Sequence, residues 1–480
     1  MNRFGEEAMA QRKRTIRGLL LLVAVAAVFL AGRYSMVMQH PILKTANFEN
    51  LSYAYNEIIN GYLEGAEGEK LVDGAVEGMV ASLDDPYSVY LTGEAGKAYM
   101  ESYEDHFVGI GVEVREEDGA FIIEKVIEGA PAEKAGVKDH DTIVAVDGQA
   151  ANGMASDKLL GMVRGKEGTT VKLKLARAGV EQPIELSVKR GSVPIKTVEY
   201  EMKENGIGQI TIERFADKTG DEFDKALEAL TAKGMKGLLL DLRGNPGGLL
   251  DPTIQIASRF LPKGEKILQV VGKGEKHVVT HKSDEETPLK LPISILVDGH
   301  TASSSEVLTA ALKEKAGATV IGEKTYGKGI VQQFTQLNDG SVLKITKAQW
   351  RTPEGSWIHK KGIEPTTEVE PPAYTLLPSL PTGLSLKKGD YGDQVKTAEH
   401  MLKALGYLPG EAGGVYDDAM EQAVERFQRS QSLPETGSLN DKTAYRMTTL
   451  LAERYDREDP QRKKAEETLR TAIGGTAKSR

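Results

Sequence analysis

Apolar positions change their spacing along the chain, and each change predicts a different kind of element. From residue 48 to 83 they repeat at helical intervals. Leu51, Tyr55, Ile58, Ile59 and Tyr62 form one stripe, and Leu71, Ala75, Met79 and Leu83 a second. Two helices are predicted there, stopped by Asp84-Asp85-Pro86. From about 105 to 192 short alternating runs with glycine punctuation predict strands, among them Val108 to Val114, Thr142 to Val146 and Val171 to Leu175. From about 193 to 372 strand and helix patterns alternate, as in α/β or α+β domains. Gly237 to Leu242 and Ile293 to Val297 are continuous apolar runs, the pattern of buried strands. Pro371, Pro372, Pro378 and Pro381 then predict a stiff, extended linker. Beyond it, Val395, Met401, Leu402 and Leu405 make one helical face, and Ala423, Val424 and Phe427 another. From Glu453 onward the chain is charged without clear apolar periodicity, which predicts a frayed helix or tail.

The start of the chain changes the picture of compartment. Arg12, Lys13, Arg14 and Arg17 precede an uncharged apolar run over residues 18–32. A basic start followed by an apolar stretch predicts an export signal, cleaved or kept as a membrane anchor. The remaining chain is then expected outside the cytoplasm. A length of 480 residues exceeds one compact core, so several domains are expected. The net charge of -9 comes without a basic stripe, which argues against nucleic acid as a partner. There is no cysteine, hence no thiol nucleophile, thiolate zinc site or disulfide. The eight histidines are scattered, with no His-Glu-x-x-His run, so neither a metal nor another cofactor is expected.

Three segments carry candidate chemistry. Asp241-Leu242-Arg243-Gly244-Asn245-Pro246-Gly247-Gly248 follows a predicted buried strand. Its glycines permit a tight turn that offers N–H groups to a negative oxygen, or simply an ordinary strand-to-helix turn. Asp298 to Glu306 also links a strand to a helix, so its serines read either as a nucleophile near a helix N-terminus or as helix caps. Lys328 sits between Gly327 and Gly329, ahead of Ile330-Val331. Burial there would free its amine to act as a base; on a solvated loop it would stay an ammonium.

Several stretches resemble known families. Residues 129–149, GAPAEKAGVKDHDTIVAVDGQ, resemble the PDZ domain. That resemblance implies a carboxylate-binding loop and strand at Val108, Gly109, Ile110, Gly111 and Val112, which would capture apolar C-terminal tails. Arg164, near the end of the predicted PDZ helix, reads either as a gating arginine or as a solvated surface charge. The last domain carries G-x-x-G-x-x-V, L-G-Y, Y-D-D and A-V-x-x-F-Q, and resembles a three-helix peptidoglycan-binding module. Glu399 stands where that module often has glutamine. This module is expected to localise rather than catalyse, so a chain ending near Val369 should keep peptidase activity.

SLDDPYS (82–88), DLRGNPGG (241–248), TASSSE (301–306), GEKTYGKGIVQQ (322–333) and GSWIHKKGIEPTTEV (355–369) resemble the carboxyl-terminal processing peptidases of family S41. The resemblance implies Ser303 as nucleophile, Lys328 as general base at the family spacing, and Gln332 as the residue that orients it. The oxyanion donors would be the N–H of Ser304 and that of Gly247 or Gly248. Ser304 replaces a family alanine. By analogy the N-terminal helices would form a homodimer. The expected architecture is multidomain α+β. It runs from a signal or anchor (1–39) and helical region (40–104) through a PDZ-like β-rich domain (105–192) to an α/β peptidase core of crotonase/ClpP type (193–372). A linker (373–383), a three-helix domain (384–452) and a charged tail (453–480) follow. The implied function is that of an extracytoplasmic serine endopeptidase of the bacterial cell envelope, acting near protein C-termini and attached to cell-wall peptidoglycan. Two rivals are a Ser-His mechanism through His300 and a catalytically silent PDZ and wall-binding scaffold.

Overall fold

The computed structural model describes residues 25, 27–28, 47–101, 103, 106–117 and 119–478. The chain divides into two units, residues 1–92 and 93–480. The first contains helices α1 (Phe48–Gly61) and α2 (Gly68–Ala81) and the short strand β1 (Val89–Leu91). Both stripes read from the sequence are helical, but α1 buries no residue. Leu51, Tyr55 and Ile58 stay exposed. Among the described residues no helix is long and apolar enough to cross a membrane. The apolar run over 18–32 lies outside the described residues apart from Val25, Ala27 and Val28.

The second unit opens with α3 (Gly93–Glu101) and β2 (His106–Gly109). Then come β3 (Val112–Glu117), β4 (Ala120–Val126), α4 (Pro131–Lys134), β5 (Thr142–Val146) and β6 (Gln149–Ala150). α5 (Ser156–Val163), β7 (Thr170–Ala176), β8 (Ile184–Lys189) and β9 (Gly191–Pro194) complete this part. The main sheet runs β3-β4-β5-β7-β8, with β6 beside β5, while β2 pairs with β9. Phe121, Ile123, Ile143, Leu159 and Leu173 fill the core beneath it. β3 is an edge strand, which leaves one side open to a further strand.

The next segment contains β10 (Val198–Met202), β11 (Ile207–Ile212), α6 (Thr219–Ala232), β12 (Gly237–Asp241) and α7 (Leu250–Ser258). It continues through β13 (Lys266–Gly272), β14 (Val278–Lys282), β15 (Ile293–Val297), α8 (Ser304–Lys315) and β16 (Thr319–Gly322). β17 (Ile330–Gln336), β18 (Val342–Arg351) and β19 (Thr367–Glu368) close it. The central sheet runs β10-β11-β12-β15-β16-β19. All its neighbours are parallel except β10 and β11. β17, β18, β13 and β14 lie side by side and antiparallel.

The central strands are apolar throughout because both faces are covered. Leu238, Leu240, Ile295 and Val297 share a core with Phe223, Ile256 and Leu308 from α6, α7 and α8. Leu239, Leu296 and Ile321 point the other way, and their cover comes from far along the chain. β20 (Ser385–Leu386), α9 (Asp393–Ala404), α10 (Asp418–Ser430), β21 (Leu439–Asn440) and α11 (Asp441–Glu458) form the small helical domain. A last helix, α12 (Pro460–Lys478), then lays Ala465 and Leu469 onto Ile207, Leu239, Leu296 and Ile321. Burying one such leucine contributes about 2 kcal/mol.

The segment expected as a frayed helix or tail is therefore a helix with a buried apolar edge. The expected extended linker also differs. Tyr374, Leu377 and Leu380 pack onto the helical domain's core, because these apolar side chains alternate with the prolines. α11 reaches the PDZ-like sheet as well. Tyr445 donates to the Glu124 carboxylate at 2.6 Å, and the Arg115 guanidinium lies 3.9 Å over its ring.

Candidate active site

Parallel β12, β15 and β16 are neighbours, so the turns leaving their C-terminal ends meet. Those turns are the three segments singled out in the sequence. Ser303, Ser304, Gly247, Gly248, Lys328 and Gln332 all line one cleft of about 550 Å³. A larger cavity of about 930 Å³ contains His300 but neither Ser303 nor Lys328. The His300 side chain is 85% exposed, and among the described residues no histidine lines the cleft that holds Ser303.

Ser303 precedes α8 with φ of +56° and ψ of −117°. That is a costly backbone for a residue with a Cβ, and it persists because neighbours fix it. Its N–H donates to Glu306 Oε2 at 2.9 Å. Ser304 Oγ donates to the Gly248 carbonyl at 2.9 Å, so this extra hydroxyl is tied to the glycine turn. The turn approaches closely: a Cβ on Gly247 would stand 2.8 Å from Ser303 Cβ and 2.9 Å from the Ser304 nitrogen. Gly247 also has φ of +97°, so glycine is required twice over.

Asn245 is fully buried and organises this turn. Its Nδ2 donates to the Ile212 carbonyl at 2.7 Å, and its Oδ1 accepts the Gly247 N–H at 2.9 Å. The Gly247 donor is thereby occupied. The N–H groups of Gly248 and Ser304 have no partner among the described residues.

Lys328 lies at the end of a loop clamped from several sides. Trp350 Nε1 donates to its carbonyl, and Trp357 Nε1 to that of Gly329, both at 2.8 Å. A Cβ on Gly327 would come within 2.7 Å of the Gly362 nitrogen, and one on Gly329 within 2.7 Å of the His359 nitrogen. The two glycines admit the 358–362 segment against the lysine backbone. Burial pushes the Lys328 amine down to about 8, helped by the Lys344 ammonium and opposed by Glu306.

Glu306 went unassigned in the sequence. It is fully buried. Oε1 accepts from Thr325 Oγ1 at 2.6 Å and from the Gly327 N–H at 2.7 Å. Oε2 accepts the N–H of Ser303 and, at 2.8 Å, that of Lys328. Burial raises this carboxyl's pKa, while these four donors favour its charged form. One side chain thus joins the serine turn to the lysine loop. Gln332 sits beside a bulge between Val331 and Gln332, and its buried Nε2 has no hydrogen-bond partner among the described residues. Tyr99, Tyr103 and Phe334 form an aromatic wall of the cleft, with ring centres 5.3 to 5.5 Å apart.

In the PDZ-like domain, Val108 is partly exposed while Gly109, Ile110 and Gly111 are buried at the start of edge strand β3. Val112 begins that strand. The N–H groups of Ile110 and Gly111 have no partner among the described residues. Arg164 caps α5, and its side chain is exposed without a hydrogen bond or ion pair among the described residues. The arginine that grips this helix end is Arg190, which donates to the carbonyls of Met162 and Val163.

Comparison with known proteins agrees with this layout. Sequence profiles match for peptidase family S41 (206–369), a PDZ domain (108–188) and a peptidoglycan binding domain (391–447). The N-terminal domain of the activating protease CtpB matches over residues 33–95. Carboxy-terminal processing protease CtpA of Bacillus subtilis is 42% identical over 458 residues, covering 94% of this chain and 97% of that protein. A CtpA-like serine protease of Staphylococcus haemolyticus is 38% identical, covering 86% and 82%. CtpB of Bacillus subtilis is 37% identical, covering 82% and 83%. With the profile over the central sheet and relatives this similar over nearly its full length, the chain belongs to the carboxy-terminal processing proteases of peptidase family S41.

Proposed function

We propose that this protein is a Ser-Lys endopeptidase of the cell envelope that captures the C-terminal tails of its protein substrates. The observation that carries the mechanism is the depressed Lys328 amine, about 8, in the same cleft as the strained Ser303 turn. A lysine near that value is neutral often enough at mildly alkaline pH to accept a proton. Ser303 Oγ attacks the scissile carbonyl carbon and passes its proton to Lys328 Nζ. The new oxyanion takes hydrogen bonds from the N–H of Ser304 and Gly248; what favours Gly248 over Gly247 is that Gly247 already donates to Asn245. The C–N bond breaks as Lys328 returns the proton to the leaving amine. Water, deprotonated by the same lysine, then hydrolyses the acyl-serine ester. Gln332 orients the amine through its amide oxygen without adding a charge.

Tail capture is supported by the unpartnered Ile110 and Gly111 N–H groups at the start of an edge strand, where a carboxylate and an added strand would both fit. The peptidoglycan binding domain supports attachment to the wall and, with the basic and apolar N-terminus, action outside the cytoplasm. The exposed stripe on α1 supports self-association. Arg164, exposed at the end of α5, would gate the groove by pairing with a carboxylate.

The mechanism is tested with Ser303→Ala and Lys328→Ala in the full chain. Each should lower kcat by about 10⁴-fold or more while leaving the thermal midpoint nearly unchanged. The wild-type rate should rise with pH through about 8, because the neutral amine is the active form. An active Lys328→Ala with an inactive His300→Ala would replace this mechanism by a histidine one.

A further inference from the structure

Arg243 lies in the glycine turn, two positions before Asn245, yet most of its partners belong to the C-terminal helices. Nε and Nη2 hold the Asp241 carboxylate at 2.9 and 2.6 Å. Nη1 donates to Tyr455 Oη at 2.7 Å and to Gln461 Oε1 at 3.0 Å, and lies 2.9 Å from Asp459 Oδ2. Asp459 and Gln461 are buried, at the corner where α11 ends and α12 begins. Gln461 Nε2 donates onward to the Val369 carbonyl at 2.8 Å, which ties the corner to the end of the sheet. Arg243 is thus held on one side by its own strand and on the other by the corner between α11 and α12.

From Arg243 the turn runs through fixed points only. The Gly244 N–H donates to Asp298 at 2.9 Å, Asn245 holds Gly247, and Gly248 lies beside Phe215. A shift of the guanidinium therefore has little slack in which to dissipate before reaching Gly248. We propose that Tyr455, Asp459 and Gln461 are positioning residues of the peptidase. Through Arg243 they fix the Asp241–Gly248 turn so that the Gly248 N–H points at the developing oxyanion. The C-terminal domain then completes the active site besides binding the wall. A chain ending near Val369 would lose activity, contrary to the expectation from sequence.

This inference rests on the reading of Gly248 as an oxyanion donor, and the experiment separates the two. Full-length wild type, Tyr455→Phe, Asp459→Asn and Asp459→Glu are assayed on a peptide ester and on its thionoester, at a temperature where all are folded. Sulfur accepts hydrogen bonds poorly, so the ratio of the two rates reports the oxyanion donors. Tyr455→Phe and Asp459→Asn should lower kcat on the ester about tenfold with KM within twofold, a fraction of the loss of a whole donor. Their ester-to-thionoester ratio should fall toward one. Asp459→Glu should recover part of both. Wild-type rate and ratio in the two variants would overturn the positioning role. A lower kcat with an unchanged ratio would reduce the cluster to a structural support and overturn it equally. A wild-type ratio already near one would instead refute the oxyanion reading itself.

Discussion

Two turns in this protein hold backbone N–H groups without partners among the described residues, and they are braced very differently. The PDZ turn is held mainly through its carbonyls: Ile110 accepts from the Ala132 N–H at 2.7 Å and Gly111 from the Ile127 N–H at 3.0 Å. The Asp241–Gly248 turn, proposed as catalytic, is held at nearly every residue, by Asn245, Asp298, Ser304, Phe215 and the Arg243 cluster. The difference follows from the charge each would meet. A terminal carboxylate is charged before it arrives and can draw a modestly braced loop onto itself. An oxyanion exists only at the top of the barrier, so its donors must already be aimed. The PDZ turn should govern binding and the catalytic turn the rate.

Gly247→Ala tests the stiffer turn hardest. The new methyl would stand 2.7 Å from the Ala302 carbonyl oxygen on a backbone with φ of +97°, so the turn must move. Steady-state kinetics should show kcat down by about 10² to 10³, with KM within twofold. A large KM change at normal kcat would erase the division between the turns. The looser turn is probed from the substrate side, by amidating the terminal carboxylate of a peptide. Losing a charge-assisted hydrogen bond should raise KM by about ten- to a hundredfold at unchanged kcat. Gly111→Ala, whose methyl would lie 2.2 Å from Ala130 Cβ, should mimic the effect on the free-acid peptide and abolish the difference between the two peptides. The smallest effect is expected from Ser304→Ala, which removes the bond to the Gly248 carbonyl. One hydrogen bond contributes about 1 kcal/mol, so kcat should fall by only about two- to fivefold.

The turns after β12 and β15 were legible in the sequence because each depends on local features: glycine or serine spacing, a strand before, a helix after; that Ser303 and Lys328 share one cleft is what the fold adds. Glu306 was harder to see. Three residues into α8 it reads as an ordinary cap, and its role appears only when the Gly327 and Lys328 N–H groups arrive from a later loop. The docking of α12 onto the sheet was not foreseen for another reason. Ala465, Leu469 and Ile473 recur at every fourth position, a helical stripe one side chain wide, but Arg462, Lys463, Lys464, Glu466, Glu467 and Arg470 surround them. The continuous apolar runs of β12 and β15 offered the complementary clue, since a strand buried on both faces needs a second cover.

That cover has a consequence for how the enzyme comes into being. A ribosome delivers all six strands of the central sheet before the first residue of α12. Until that helix arrives, Leu239, Leu296 and Ile321 lack the cover of Ala465 and Leu469, and Arg243 lacks Gln461. On the positioning role proposed for Gln461, a nascent chain holding every residue of the cleft would still be unfinished as a catalyst. The same interval leaves an apolar sheet face open to misassociation. Synthesis order thus sets the order of assembly, and the second face of the central sheet closes only on the arrival of the last helix.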